Sequence, residues 1–328
     1  MKKKIAYLVH NKSNGGIPLE LGFELKNAHV IDLIICSELS AKYRFYYNMV
    51  FRKKYDVVHV HHSEQLIVFS LLRFFSKFTL IFTLHNDFNR QPLKTRIIYF
   101  FSSLMADLIV CNSKSTRSTL PKYFKTKSIT VYNGVNEERL NRFDMEAYNM
   151  LNASKNYVLF ANRLVRQKNM IKSLRGVLRG ISPFENWIVV VAGDGSMRFS
   201  IEDEFSDEIR LGKLVLLGDV EREKVYGLMK KASIYVLLSN WEGFGNSIVE
   251  ASKFIRNIIH SDLLVFEELF GGHYETVDQT NVEEITRCVV KMIESYEDNS
   301  NERTIVDFVR KFSISNAMKN HIDVYEQY

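Results

Sequence analysis

Glu242 and Glu250 stand eight residues apart, and the turn after the first is rich in small residues: Gly243-Phe244-Gly245-Asn246-Ser247. The preceding run, Ser233–Leu238, has strand character, and a helix is predicted from Asn246 onward. Such a turn points backbone N–H groups into solvent at a helix start, where an anion such as a diphosphate can be held. One carboxylate can then take sugar hydroxyls and the other ribose hydroxyls, on either side of the anion. The pattern is a grip for a nucleotide sugar. The plainer reading is a helix cap with an acid in its first turn.

Cations that could serve the same anion lie in Arg163-Leu164-Val165-Arg166-Gln167-Lys168, after another strand-like run and before a helix. Arginine meets a diphosphate with a planar fork and lysine as a point charge. Alone, the segment reads equally well as a basic surface loop; beside the acidic turn it reads as a site. Gly15-Gly16 follows the first strand-like run and lets backbone approach a ligand closely, although the G-x-G-x-x-G dinucleotide fingerprint is absent. Ala192-Gly193-Asp194-Gly195 is a common turn sequence, read here as a lip near the nucleotide. His85 ends the fourth strand-like run, where an imidazole can bond a sugar hydroxyl or simply cap the strand. His59 and His61 share a strand face while His62 points away, and no Asp-x-Asp pair is present, so no metal site is expected.

Short apolar runs must carry these residues. In the first half they are Lys4–His10, Val30–Cys36, Asp56–His61, Thr79–Leu84, Asp107–Cys111 and Ser128–Tyr132. Amphipathic runs such as Ser63–Phe75 and Leu93–Met105 lie between them. The second half repeats the rhythm with Tyr157–Ala161, Trp187–Ala192, Lys213–Leu217, Ser233–Leu238 and Asn257–His260. This βαβ alternation predicts an α/β protein of two doubly wound, Rossmann-like parallel-sheet domains facing across a cleft. The expected division is 1–150 and 151–313, with Asn141–Asn156 as linker. Ligands of open parallel sheets bind beyond the carboxyl ends of the strands, and nearly all the chemistry above falls there.

The 328 residues are 46% apolar and 25% charged, an ordinary globular balance. Cys36, Cys111 and Cys288 fit no metal or redox spacing and suit a reducing compartment. The apolar run Ile5–Val9 is too short for a signal-peptide core, and charges interrupt the longer runs, so no membrane span is expected. A cytoplasmic protein follows. Residues 1–150 carry 22 Lys/Arg against 12 Asp/Glu, whereas 151–328 carry 22 against 26. Aromatics join the cations at Tyr43–Lys54. A basic, aromatic face fits an anionic membrane surface or a nucleic acid, or is a solvated face beside core aromatics. The absence of a nucleic-acid module pattern favours the membrane over nucleic acid.

Together these positions resemble the retaining glycosyltransferases of family 4, which have the GT-B fold. Glu242 to Glu250 is similar to the family's E-x7-E element, and Arg163 with Lys168 to its Arg-x4-Lys diphosphate element. Gly15-Gly16 resembles the glycine loop after the first strand, and His85 the histidine after the fourth. Val131-Tyr132-Asn133-Gly134-Val135-Asn136 resembles the entry to the interdomain crossover, and Phe312-Ser313 with a C-terminal helix, 314–328, resembles the tail that returns to pack on the first domain. One element departs: Ser261–Glu268 stands where many relatives have Gly-Gly-x-x-Glu, and Gly271-Gly272 comes later.

The resemblance implies roles. Glu250 would bind ribose hydroxyls. Glu242 and the amides of Gly243, Phe244, Gly245, Asn246 and Ser247 would hold the donor sugar and its phosphate. Arg163 and Lys168 would stabilise the departing diphosphate, Gly15-Gly16 would let acceptor and phosphate meet, and His85 would contact the transferred sugar. No metal or other cofactor is implied. The expected activity moves a hexose or N-acetylhexosamine, with retention, from a nucleoside-diphosphate sugar (UDP ahead of GDP) to a saccharide. A lipid-linked acceptor for surface polysaccharide, met at the inner face of the membrane, suits the basic half. The rivals are a nucleotide-sugar epimerase on the same fold and a non-catalytic partner binding nucleotide or membrane.

Overall fold

In the computed structural model the described residues are 3–9, 16–35, 54–90, 93–149, 151, 156–297 and 308–328. Gly15, Cys36 and the aromatic-basic run 43–53 lie outside them. The chain divides into two units, Met1–Asn136 with Phe312–Tyr328, and Glu137–Lys311.

The first unit holds β1 (Ile5–Val9), β2 (Asp32–Ile35), β3 (Val57–Val60), β4 (Thr79–Leu84), β5 (Leu108–Cys111) and β6 (Ser128–Thr130). Every pairing is parallel and the strand order is β2-β1-β3-β4-β5-β6. Residues of β1, β3 and β5 are buried throughout, as befits strands covered on both faces. Successive residues serve opposite cores. Ala6, Leu8, Val58 and Val60 pack with Leu66 and Phe69 of α2 (Ser63–Leu72), and Tyr99 of α3 (Leu93–Met105) lies against that same core. Tyr7, Val9, Val57 and Ile81 instead join α1 (Gly16–Asn27) and the C-terminal helix Ile314–Gln327. Ser313 caps that helix, its Oγ accepting from Asn316 N at 3.2 Å. The Val135 carbonyl accepts from Ile314 N at 2.9 Å, tying the chain's end to the crossover segment.

The second unit holds β7 (Asn156–Ala161), α4 (Met170–Ile181), β8 (Trp187–Ala192), β9 (Leu214–Gly218), α5 (Arg222–Lys231) and β10 (Ile234–Leu237). After them come α6 (Asn246–Ala251), β11 (Ile258–Ser261), α7 (Leu264–Phe270), β12 (Glu275–Val277) and α8 (Val282–Glu297). The sheet is again parallel, ordered β12-β11-β10-β7-β8-β9. Residues 137–149, expected with the first domain, lie in this unit. Their hold is local: Asp144 N donates to Glu223 O at 2.8 Å, and Arg139 Nε lies 3.1 Å from Glu223 Oε1.

Candidate active site

The second sheet runs outward in both directions from β7 and β10, which are neighbours. Their connections diverge, so a crevice opens beyond their carboxyl ends, the switch point where such sheets bind ligands. The loop after β7 carries Arg163 and Lys168, and the loop after β10 carries Glu242.

These loops are stitched together. Asn240 N donates to Gln167 O at 2.8 Å, Asn240 Nδ2 to Arg166 O at 3.1 Å, and Gln167 Nε2 to Trp241 O at 2.8 Å. The Lys168 ammonium is ion-paired with Glu242 Oε1, which also accepts from Ser239 Oγ at 2.7 Å. The two side chains are only 13% and 8% exposed, so both charges depend on each other. Arg163 is exposed at the edge of the same loop. Its position is propped from below by the turn after β8. Leu164 N donates to Asp194 O at 2.9 Å, and a Cβ on Gly193 would lie 2.0 Å from the Asn162 carbonyl oxygen. Gly193 (φ +147) is therefore where two backbones touch, and its turn supports the cationic loop.

The acidic turn closes on Gly245, whose φ of +83 and ψ of +54 are left-handed. A Cβ there would meet Phe266 Cε1 at 2.6 Å. Phe266 belongs to α7, within the segment that replaces the resembled family's Gly-Gly-x-x-Glu. That segment thus gives the turn an aromatic floor. The helix α6 is short, six residues, with Ile248 N and Val249 N already bonded to Gly245 O. Anion binding here would rest on individual amides of Gly243–Ser247 more than on a summed helix dipole.

Glu250 is buried on α6 and faces α5. Its Oε1 accepts from Arg222 Nη2 at 2.6 Å, with the Tyr226 hydroxyl at 3.5 Å. The sequence reading missed Arg222 and Tyr226. They are one helical turn apart on α5, a spacing any helix offers, so nothing marked them. Ser239 was missed as well, because a single serine after a strand carries no signal of its own.

His85 follows β4 in the first unit. Its Nε2 lies 3.0 Å from His61 Nδ1, the rings stack at 5.2 Å, and its carbonyl accepts from Asn112 Nδ2 at 2.9 Å. Behind this pair, His59 Nδ1 meets Tyr325 Oη at 2.7 Å and His59 Nε2 meets Thr83 Oγ1 at 2.6 Å. Burial pushes His85 down to about 3 and His321 to about 4, and holds His59 and His61 well below the ordinary value. Like-charge repulsion among the rings works in the same direction for His59, His61 and His85. All four are neutral imidazoles near pH 7. A cavity of about 10 Å³, room for one water, lies among Tyr7, His61, His85 and His321. Among the described residues the buried Tyr7 hydroxyl and His61 Nε2 have no hydrogen-bond partner. Gly16 opens α1 in this unit.

Two doubly wound parallel sheets are thus present, and in the second a cationic loop and an acidic turn meet at the switch point. The chain belongs to the family described as Glycosyl transferases group 1, whose model matches residues 142–305, half of the chain. A second model, Glycosyltransferase Family 4, matches residues 36–139. An uncharacterised glycosyltransferase of Methanocaldococcus jannaschii, MJ1178, is 26% identical over 89% of this chain and 81% of its own length. An Escherichia coli UDP-Gal:alpha-D-GlcNAc-diphosphoundecaprenol alpha-1,3-galactosyltransferase is 25% identical over 71% of this chain and 65% of its own length. Among solved structures, HepE of Anabaena in complex with UDP and glucose superposes with a TM-score of 0.77. That match has 15% identity and covers 99% of this chain and all of HepE, a likeness of fold.

Proposed function

We propose that this glycosyltransferase moves a hexose or N-acetylhexosamine from a UDP-sugar to a lipid-linked saccharide. The transfer keeps the anomeric configuration and serves surface-polysaccharide synthesis at the cytoplasmic face of the membrane. The juxtaposition of Lys168 and Glu242 at the β7/β10 switch point carries the reading. It sets a cation for a diphosphate beside a carboxylate for sugar hydroxyls. HepE, solved with UDP and glucose, and the E. coli relative, named for UDP-galactose and a diphosphoundecaprenol acceptor, support the substrate classes.

As the glycosidic bond to phosphate breaks, negative charge grows on the leaving diphosphate. Arg163 and Lys168 meet that charge, so their interaction strengthens toward the transition state and raises rate. No metal is assigned to this task. Glu242 exchanges part of its bond with Lys168 for sugar hydroxyls when the donor arrives. Glu250, held by Arg222, binds the ribose hydroxyls. The amides of Gly243, Phe244, Gly245, Asn246 and Ser247 face the donor phosphate, Gly15 and Gly16 admit the acceptor, and His85 contacts the transferred sugar.

A thermal-shift series of UDP- and GDP-sugars tests binding, since a ligand held only by the folded form raises the melting temperature. Turnover of the shifting donor with diphosphoundecaprenol-linked sugars, and the anomeric coupling of the product, test the rest. Absence of a shift with every donor, or isomerisation of the donor without acceptor, would end this reading.

A further inference from the structure

The first unit carries large apolar side chains where a folded surface should be polar. Phe74 is 74% exposed, Phe75 72%, Leu93 71%, Phe101 64% and Tyr123 62%. They belong to one region. On α3 the exposed apolar positions Leu93, Ile97, Phe100, Phe101 and Leu104 follow the i, i+4, i+7, i+8, i+11 spacing of one helix face. The opposite face is satisfied, with Ser103 buried and Tyr99 packed on Phe82. Arg73 joins the Phe74-Phe75 turn to the end of this helix by donating to the Met105 carbonyl, and its Nη2 lies 3.0 Å from Asp107 Oδ1. Tyr123 is continuous with the stripe through Phe124, which touches both Phe100 and Tyr123 at ring distances of 5.2 and 5.5 Å.

Cations rim the patch. Residues 71–127 contain ten Lys/Arg and two Asp/Glu. One of those acids, Asp107, is already paired with Arg73. Lys77, Lys94 and Lys122 are exposed beside the aromatics. Lys127 Nζ donates to the Ser103 and Ala106 carbonyls at the end of α3, a favourable place for a cation.

We propose that this patch docks the first unit on an anionic lipid surface. Exposed Phe and Leu side chains enter the acyl boundary, Tyr123 sits at headgroup level, and the lysines reach anionic headgroups. The exposed Lys77, Lys94 and Lys122 are what select the occupant: a second copy of the same face would bring like charge onto like charge. A nucleic acid would match the charge but leave Leu71, Leu93, Ile97 and Leu104 unburied. The inference deepens the reading of a lipid-linked acceptor by giving the protein a surface on which to meet it.

The test is flotation of the full chain with phosphatidylcholine vesicles, with and without phosphatidylglycerol. The wild type should float with the anionic vesicles, stay behind with the neutral ones, and be released by high salt. The triple variant F74S/F75S/F101S should lose at least tenfold in vesicle affinity. All three side chains are exposed, so its melting temperature and UDP-induced shift should match the wild type. A second variant, K77E/K94E, should likewise lose most of its binding to phosphatidylglycerol vesicles while keeping the wild-type melting temperature. Wild-type protein that stays in solution with anionic vesicles overturns the proposal. So does full vesicle binding by both variants, or a dimer in sedimentation that F74S/F75S/F101S makes monomeric while vesicle binding is absent. Turnover with a soluble acceptor reads the donor site independently, so loss of one reading leaves the other standing.

Discussion

The Lys168 ammonium and the Glu242 carboxylate, 74 residues apart in sequence, form an ion pair that joins the loops after β7 and β10. Both side chains are largely withdrawn from solvent, and the adjoining backbones exchange hydrogen bonds through Gln167 and Asn240. Either group alone would be an uncompensated charge at the bottom of a crevice. The pair is therefore structural as it stands.

Removing one partner strands the other. Lys168→Met and Glu242→Gln should each cost about 3 kcal/mol of stability, within the range for breaking a buried pair. The double substitution should cost less than the sum. Thermal or urea unfolding of all four proteins measures the coupling, and strict additivity would contradict the pairing.

Arg163 makes the contrasting case, because its side chain is exposed. Arg163→Ala should leave the unfolding midpoint within about 0.5 kcal/mol of wild type, as usual for surface changes. It should lower kcat by roughly 10²-fold, the scale for losing a donor to transition-state charge. A large stability loss with unchanged kcat would reverse the assignment.

Gly193 and Gly245 differ in what an added methyl meets. At Gly193 it strikes a backbone carbonyl at 2.0 Å, and at Gly245 the edge of the Phe266 ring at 2.6 Å. A ring can rotate and a carbonyl cannot. Gly193→Ala should therefore destabilise more than Gly245→Ala, and only the latter should be partly relieved by Phe266→Leu. The left-handed backbone at Gly245 keeps about 1 kcal/mol of cost even then. Urea midpoints decide the order.

The buried imidazoles set a pH dependence. His85 is held down at about 3 and His321 at about 4, against 6.5 for the unfolded groups. Between about pH 4 and 6.5 the unfolded chain binds more protons, so stability rises with pH there and levels off above. Each such histidine contributes at most about 1.4 kcal/mol per pH unit. His321→Gln should flatten the slope between pH 4 and 6 in urea titrations. An unchanged slope would mean that His321 is protonated in the folded state.

His61 holds His85 through the Nδ1–Nε2 contact at 3.0 Å. If His85 meets the transferred sugar, His61→Leu should lower kcat nearly as far as His85→Ala, with donor KM little changed. The double variant should be no worse than the worse single one. Independent, multiplying losses would separate the two rings functionally.

Much of the fold was legible because covered parallel strands are continuous apolar runs: β4 and β8 match their sequence bounds residue for residue. β12 is three residues, Glu275-Thr276-Val277, and carries no such run. The domain boundary was set late, near 150, because 137–149 is polar; what assigns it to the second unit is packing on α5, which no local pattern reports. Arg163, Lys168, Glu242 and Glu250 were visible as candidates because their spacing around turns is unusual. Arg222, the partner of Glu250, was not, since it lies 28 residues away on an ordinary helix face.

The sequence by itself determined the strands β1 to β11 and the parallel architecture, and marked candidate residues for a diphosphate, because hydrophobic period and turn chemistry are local. Only the tertiary structure decided that Lys168 reaches Glu242, that Glu250 is held by Arg222, and that Phe74, Phe75 and Phe101 remain in solvent. Those outcomes depend on strand order and helix packing, which bring together groups that the chain's own spacing leaves unrelated.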